Sequence, residues 1–151
     1  MKVNLNDSKK IPPLLRESWN RLNCIFMERV KKVGLTPDQF SALRWTFSKP
    51  KNSLTQSELS ALMSTDRNNI SSLVKRMEVM GLIERKTLSE DQRRKIINLS
   101  TKGKIMFKKG KAIAHQLESE VLSSLDATEK RMLFEALKKL TSNLGEKIKQ
   151  I

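Results

Sequence analysis

Apolar residues recur at helical spacing along most of this chain, and the polar residues between them carry helix start and stop signals. Residues 1–10 are polar and read as a frayed end. Pro12 and Pro13 suit a first helical turn. Leu15, Trp19, Leu22, Phe26 and Val30 then follow at helical spacing to Val33, and Gly34 closes this helix. Thr36-Pro37-Asp38-Gln39 opens the next helix with a capping box and a proline at its first position, with Leu35 and Phe40 as a staple. Phe40, Leu43 and Phe47 make its inner face, and Lys49-Pro50 ends it.

From Leu54 to Leu99 the elements shorten. Thr55 can N-cap a short helix with Glu58 three residues on, and Leu54 and Leu59 can form the staple. Leu59, Leu62 and Met63 give it a narrow apolar face. Ser64, Thr65 and Asp66 interrupt the pattern, because their side chains compete for backbone hydrogen bonds and favour caps and turns. Ile70, Leu73, Val74 and Met77 fall at i, i+3, i+4 and i+7, one stripe of a second helix. Gly81 supplies the left-handed residue that ends it, and Leu82 can pack back on the last turn. Ile83 to Thr87 and Arg94 to Leu99 read as two short strands, with Leu88 to Arg93 as the turn and Asp91 available to bond its own backbone. Helix, tight turn, helix and basic hairpin is the outline of a winged helix-turn-helix, a module that reads duplex DNA.

After the hairpin, Ser100 or Thr101 can cap a long helix to about Leu125, with Met106, Ile113, Leu117, Val121 and Leu125 as its apolar positions. Asp126-Ala127-Thr128-Glu129 is a further capping box. Leu133, Leu137, Leu140, Leu144 and Ile148 then run nearly to the chain end. A helix apolar up to its terminus needs a cover, and the first helix and a second copy of the chain are the obvious candidates.

Charge sharpens this picture. The 151 residues can hold one domain with a real core. A formal net charge of +14 favours polyanions, without choosing between DNA, RNA and an acidic membrane. Residues 75–111 hold twelve Lys/Arg against four Asp/Glu, whereas residues 112–151 hold six of each. The excess therefore centres on the proposed wing and the helix after it. No apolar run is long enough to span a bilayer, and no signal-peptide core is present, so no membrane partner is expected. One cysteine allows no intrachain disulfide and fits a reducing, cytoplasmic setting.

The second short helix carries Arg67, Asn68, Asn69, Ser71, Ser72 and Lys75 opposite its apolar stripe. Asn suits adenine edges, Arg suits guanine edges, and Ser and Thr reach bases or phosphates. A merely solvated face would more often show Glu and Lys in opposite-sign pairs. Arg85, Lys86, Arg93, Arg94 and Lys95 cluster on the hairpin, where an arginine can enter the adjacent minor groove. The plainer reading is a charge set that protects the edge of a two-stranded sheet. Other chemistry is poorly supported. The single His115 and single Cys24 cannot make the usual zinc sites, and Cys24 among Leu22, Ile25 and Phe26 reads as a small buried residue. There is no phosphate loop, dinucleotide glycine pattern or nucleophile elbow, so no catalytic residue, metal or cofactor is expected.

The stretch GLIERKTLSEDQRRKIINLSTKG resembles the wing signature of the MarR family of bacterial transcription regulators. Gly81, Leu82 and Ile83 match the end of its recognition helix, Asp91 and Arg93 its Asp-x-Arg, and Leu99 and Gly103 its tail. Ser100 stands where the family usually has Thr. The resemblance implies that Arg93 is the wing-tip arginine and that Asp91 holds the wing or that arginine in place. It also implies pairing through the N- and C-terminal helices, and a small aromatic or phenolic acid as effector. Arg16, Trp19, Trp45, Met63, Met77 and Met106 are candidate walls of an effector pocket, although core packing is the reading favoured for Trp19 and Trp45.

The expected fold is mainly α, a winged helix-turn-helix with a small β-hairpin wing and N- and C-terminal dimerisation helices. The organisation expected is 1–34 as the N-terminal dimerisation helix, 35–100 as the DNA-binding lobe and 101–151 as the C-terminal linker and dimerisation helices, in one MarR-type domain. The expected DNA contacts are Thr55, Gln56, Thr65, Arg67, Asn68, Asn69, Ser71, Ser72, Lys75, Arg85, Lys86, Asp91, Arg93 and Arg94. The function expected is that of a homodimeric repressor on a near-palindromic double-stranded operator, relieved by a small molecule. A sequence-tolerant nucleic-acid coating protein and a winged-helix protein-interaction adaptor are the alternatives.

Overall fold

The computed structural model describes residues 10–88 and 91–150, with side chains except at 88 and 91–94. In chain order the elements are α1 (Ile11–Lys31), α2 (Pro37–Ser48), α3 (Gln56–Leu62), α4 (Arg67–Val79), β1 (Ile83–Leu88), β2 (Asp91–Leu99), α5 (Thr101–Leu122) and α6 (Ala127–Ile148). The expected starts of α2, α3 and α6 are all reciprocal capping boxes, at Thr36/Gln39, Thr55/Glu58 and Asp126/Glu129. By internal contacts the chain divides into residues 1–114 and 115–151, with the boundary inside α5. Among the described residues no helix is long and apolar enough to cross a membrane.

In the first unit the core gathers Val30, Leu35, Leu43, Leu54 and Leu59, the α4 stripe Ile70, Leu73, Val74 and Met77, and Leu82, Ile97 and Phe107. An aromatic row runs through it. The ring of Phe26 meets Phe40 edge-on at 5.2 Å, Phe40 stacks on Phe107 at 5.9 Å, and Phe107 meets Phe47 at 4.6 Å.

The turn between α3 and α4 closes on itself. Ser64 takes a left-handed φ of 50°, Ser64 N–H donates to Ala61 O at 3.1 Å, and Thr65 N–H donates to Ser60 O at 3.2 Å. These are the paired bonds of a Schellman motif, with serine in the place usually held by glycine. Ser60 Oγ adds a bond to Thr65 O at 2.7 Å. Gly81, at φ 71°, ends α4 in the same way, with Leu82 N–H on Met77 O at 2.9 Å and Leu82 fully buried.

The hairpin differs from expectation. Its strands pair from Ile83↔Leu99 to Thr87↔Lys95, then shift register so that Leu88 pairs with Asp91. The expected turn over Leu88–Arg93 is therefore shorter, and Asp91 belongs to a strand. The residues between those pairs on β2 form a bulged stretch, which a pattern of charged residues does not reveal. The segment entering α3 joins this sheet: Ile97 N–H donates to Leu54 O at 2.9 Å, and Thr55 bridges Ile96. Asn98 Oδ1 accepts from Asn52 N–H at 2.8 Å, and Asn98 Nδ2 donates to Asn52 Oδ1 at 2.9 Å.

Other expectations are corrected. Helix α1 ends at Lys31, and the turn to Gly34 follows it. Trp19, expected in the core, is 63% exposed beside exposed Leu14 and Leu15. Cys24, expected to be buried, is exposed, because it lies off the line of Leu22, Phe26 and Val30. The first half of α5 packs through Gly103, Phe107 and Gly110 rather than through an apolar run. Ser100 Oγ caps it, accepting from Gly103 N–H at 2.9 Å.

The second unit holds the end of α5 and α6. Helix α6 buries none of its residues, and Leu133, Leu137, Leu140, Leu144 and Ile148 are exposed along it.

Close approach explains two helical glycines. A Cβ on Gly103 would stand 1.9 Å from Leu82 O, and one on Gly110 would stand 2.6 Å from the Phe40 ring. Alanine normally gains about 1 kcal/mol over glycine inside a helix. Here Gly103→Ala and Gly110→Ala should instead lower the melting temperature, since overpacking costs about 1–3 kcal/mol. Gly145→Ala, with nothing within 4 Å of its Cβ, should not lower it. A circular-dichroism melt of the three variants decides the matter, and a stabilised Gly103→Ala would contradict the packing described.

Candidate nucleic-acid interface

The polar face of α4 points outward because its apolar face is spent on the core. Arg67, Asn68, Asn69, Ser71, Ser72 and Lys75 are all exposed. Asp66 caps the helix, accepting from Asn69 N–H at 2.9 Å. The same carboxylate accepts from the Asn69 side-chain amide, so Asn69 is tied back to the helix start. Asn68, Ser71 and Ser72 present their side chains along the middle of the face.

Beside this face lies an open cleft of about 600 Å³. The first turn of α3, from Thr55 to Glu58, forms one wall; Arg67, Ile70 and Ser71 of α4 form another; Arg85 and Lys95 of the hairpin close it. Three strands of the sequence, far apart in order, thus converge with three cations. Such a surface attracts a polyanion and steers its approach.

The expected contacts sort by position. Gln56, Arg67, Ser71 and Arg85 meet in the cleft, together with Thr55. Thr55 is 8% exposed, and its hydroxyl is engaged with Glu58, donating to Oε2 at 2.9 Å and accepting from the N–H at 3.2 Å. It is a cap that shapes the cleft. Thr65 is half-buried, with its backbone locked to Ser60. Lys86 lines a neighbouring hollow with Glu78, Glu84 and Ser100. The side chains of Asp91, Arg93 and Arg94 lie outside the described residues, and so do residues 89–90.

Two participants were not among the expected contacts. Lys95 lines the cleft. It stands opposite Thr87 and two residues from buried Ile97, so strand alternation puts it on the Ile97 side of the sheet. Glu78, near the end of α4, accepts from Arg85 Nε at 2.9 Å and also meets Arg85 Nη2. The hydrogen bond from Arg85 holds the Glu78 carboxyl below the usual carboxylate range.

The candidate effector walls do not come together. Met77 is fully buried in the core, and Met63 and Trp45 are half-buried against it. Met77 belongs to the α4 stripe, whose burial leaves no face for a ligand. Trp45 is covered by the Arg44 guanidinium at 5.2 Å from its ring centre. Arg16 and Trp19 are exposed on α1. None of the five lines the cleft or the three smaller hollows described. Met106 is half-buried against the core. No group of three or more metal-ligating side chains occurs among the described residues.

Comparison with known proteins agrees with this geometry. A model of the MarR family matches residues 33–94. The HTH-type transcriptional regulator BilQ of Clostridium symbiosum is 36% identical over 90 residues, which cover 60% of this chain and 62% of BilQ. The transcriptional repressor MprA of Escherichia coli K12 is 29% identical over 117 residues, covering 78% of this chain and 66% of MprA. The match thus spans less than two thirds of each relative's own length. The fold is similar to that of S. aureus MepR in its DNA complex, with a TM-score of 0.82 at 22% identity over 89% of this chain and 98% of MepR. Over the stretch that the family model matches, which holds α2, α3, α4 and the first strand of the wing, the chain is similar to the MarR family.

Proposed function

We propose that this chain is a transcriptional regulator that binds double-stranded DNA sequence-specifically, and that it acts as a homodimeric repressor on a near-palindromic operator. The observation that carries this reading is the outward polar face of α4 beside a cleft where Arg67, Arg85 and Lys95 converge. α4 enters the major groove, with Asn68, Ser71 and Ser72 toward base edges, while Arg67, Lys95 and the wing meet phosphates. Arg93 is the wing-tip arginine that reaches the neighbouring minor groove, with Asp91 beside it, as the family resemblance suggests. The names of BilQ, a transcriptional regulator, and MprA, a transcriptional repressor, support regulation as the outcome of binding. A cytoplasmic setting goes with that role. The effector is a small aromatic or phenolic acid, which would favour a dimer whose lobes no longer match half-site spacing.

A second copy of the chain is the cover we assign to the apolar stripe of α6 and to exposed Ile11, Leu14, Leu15 and Trp19. Light scattering at micromolar concentration should therefore give a dimer. Leu140→Asp with Leu144→Asp should give monomer or insoluble chain, and a soluble monomeric wild type would remove the dimer from the account.

Base reading and phosphate contact separate by salt and sequence. On a duplex selected from a random pool, Asn68→Ala should cost about 1–3 kcal/mol if its amide reads a base edge, with much less change on random duplex. Lys95→Ala should weaken both duplexes and reduce the salt slope by about one. Fluorescence anisotropy at several salt concentrations checks both. Equal losses on the two duplexes for Asn68→Ala would reassign it to the backbone, and wild-type indifference to sequence would favour a coating protein.

A further inference from the structure

Glu78 is the sole acid of α4, a helix that otherwise carries Arg67, Lys75 and Arg76. It sits in the last turn, where a carboxylate opposes the helix dipole, and on the side of the chain that must meet a polyanion. Both placements work against it unless a partner compensates. That partner is Arg85 of β1, whose Nε and Nη2 both reach Glu78 Oε2. The two side chains are 37% and 23% exposed, so the pair is partly shielded from water. Arg85 also lines the cleft, beside Arg67 and Lys95. One carboxylate thus links the α4 helix to the wing and fixes the guanidinium that stands between them.

We infer that Glu78 is a positioning residue that sets sequence discrimination by restraining Arg85. The inference rests on the DNA-binding reading above. An unrestrained guanidinium in this cleft would reach any phosphate, whatever the sequence, and would strengthen binding to all duplexes. Held by Glu78, Arg85 offers its remaining donors in one direction only. It meets the backbone when α4 and the wing are both seated, the arrangement a matching sequence permits. Neutralising part of its charge also lowers the attraction to wrong DNA, which raises the ratio of specific to non-specific affinity.

The experiment compares wild type, Glu78→Gln, Arg85→Gln and the double variant by fluorescence anisotropy. Each binds a duplex selected with wild type and a random duplex, across a salt series, with folding checked by thermal melt. Glu78→Gln should bind random duplex at least threefold more tightly, with a log–log salt slope steeper by about one phosphate contact. The selected-to-random ratio should fall at least threefold. In the Arg85→Gln background the second change should do nothing more to the slope or ratio. A merely structural role would leave the salt slope on random duplex where it was. An unchanged ratio, an unchanged slope, or an equal loss on both duplexes overturns the inference. If Glu78→Gln does not fold, Arg85→Gln must still lower the ratio, and a wild-type ratio in that variant overturns it. A wild type with no preference for its selected duplex contradicts the functional reading, and this inference with it. A discriminating wild type beside an equally discriminating Glu78→Gln contradicts the role of Glu78 alone.

Discussion

The structure depends on the burial of one stripe, Ile70, Leu73, Val74 and Met77 on α4. Fully burying side chains of this size is worth about 1.5–3 kcal/mol each. Rolling the helix by one position would expose part of that stripe and bring exposed Ser71 or Lys75 against the core. Only one rotation satisfies both faces, so the outward direction of Arg67, Asn68 and Ser72 is a consequence of packing. The ends are fixed separately, by the Asp66 cap at the start and the Gly81 turn at the finish. Axial rotation and both termini are thus settled before any partner arrives.

The wing is held to that helix by several short connections rather than by one large surface. The Asn52–Asn98 amide pair and the Ile97-to-Leu54 bond fix β2 to the entry of α3. The Glu78–Arg85 pair fixes β1 to the end of α4. Ser100 Oγ donates to Gly81 O while it caps α5, so the exit of the wing and the end of α4 share one residue. Polar links of this kind are individually modest, about 0.5–1.5 kcal/mol for an ordinary hydrogen bond and more for a charged one. Their joint effect is geometric, because each removes a direction in which the hairpin could swing.

The helices were legible where local chemistry announces them. Three capping boxes and the i, i+3, i+4, i+7 stripe gave α2, α3, α4 and α6 with bounds close to those observed. The missing pieces are those whose signal is non-local or lacks a side chain. Gly103 and Gly110 make the inner face of α5, and a count of apolar residues passes over them; the close approach of Leu82 O and Phe40 is visible only in three dimensions. The hairpin bulge follows from pairing, not from composition. In the site, the cationic cluster of α4 and the wing was expected, and so was Thr55 as the cap paired with Glu58; that the Asn69 side chain would be tied back to Asp66 was not. The Glu78–Arg85 pair spans a helix end, a turn and a strand, and periodicity within any one element does not reveal it. Trp19 illustrates the opposite limit: helical spacing aligned it with Phe26 and Val30, but spacing cannot tell a core from a surface that a partner covers.

The central claim is that packing alone aims a sequence-reading helix and its wing at duplex DNA. Selection of bound duplexes from a random double-stranded pool, with the full chain, tests it most directly. The account predicts enrichment of an inverted repeat whose half-site centres lie about one helical turn apart, roughly 10–10.5 base pairs, or a multiple of that. A bound pool that stays random in sequence, or no bound pool at all, would contradict it.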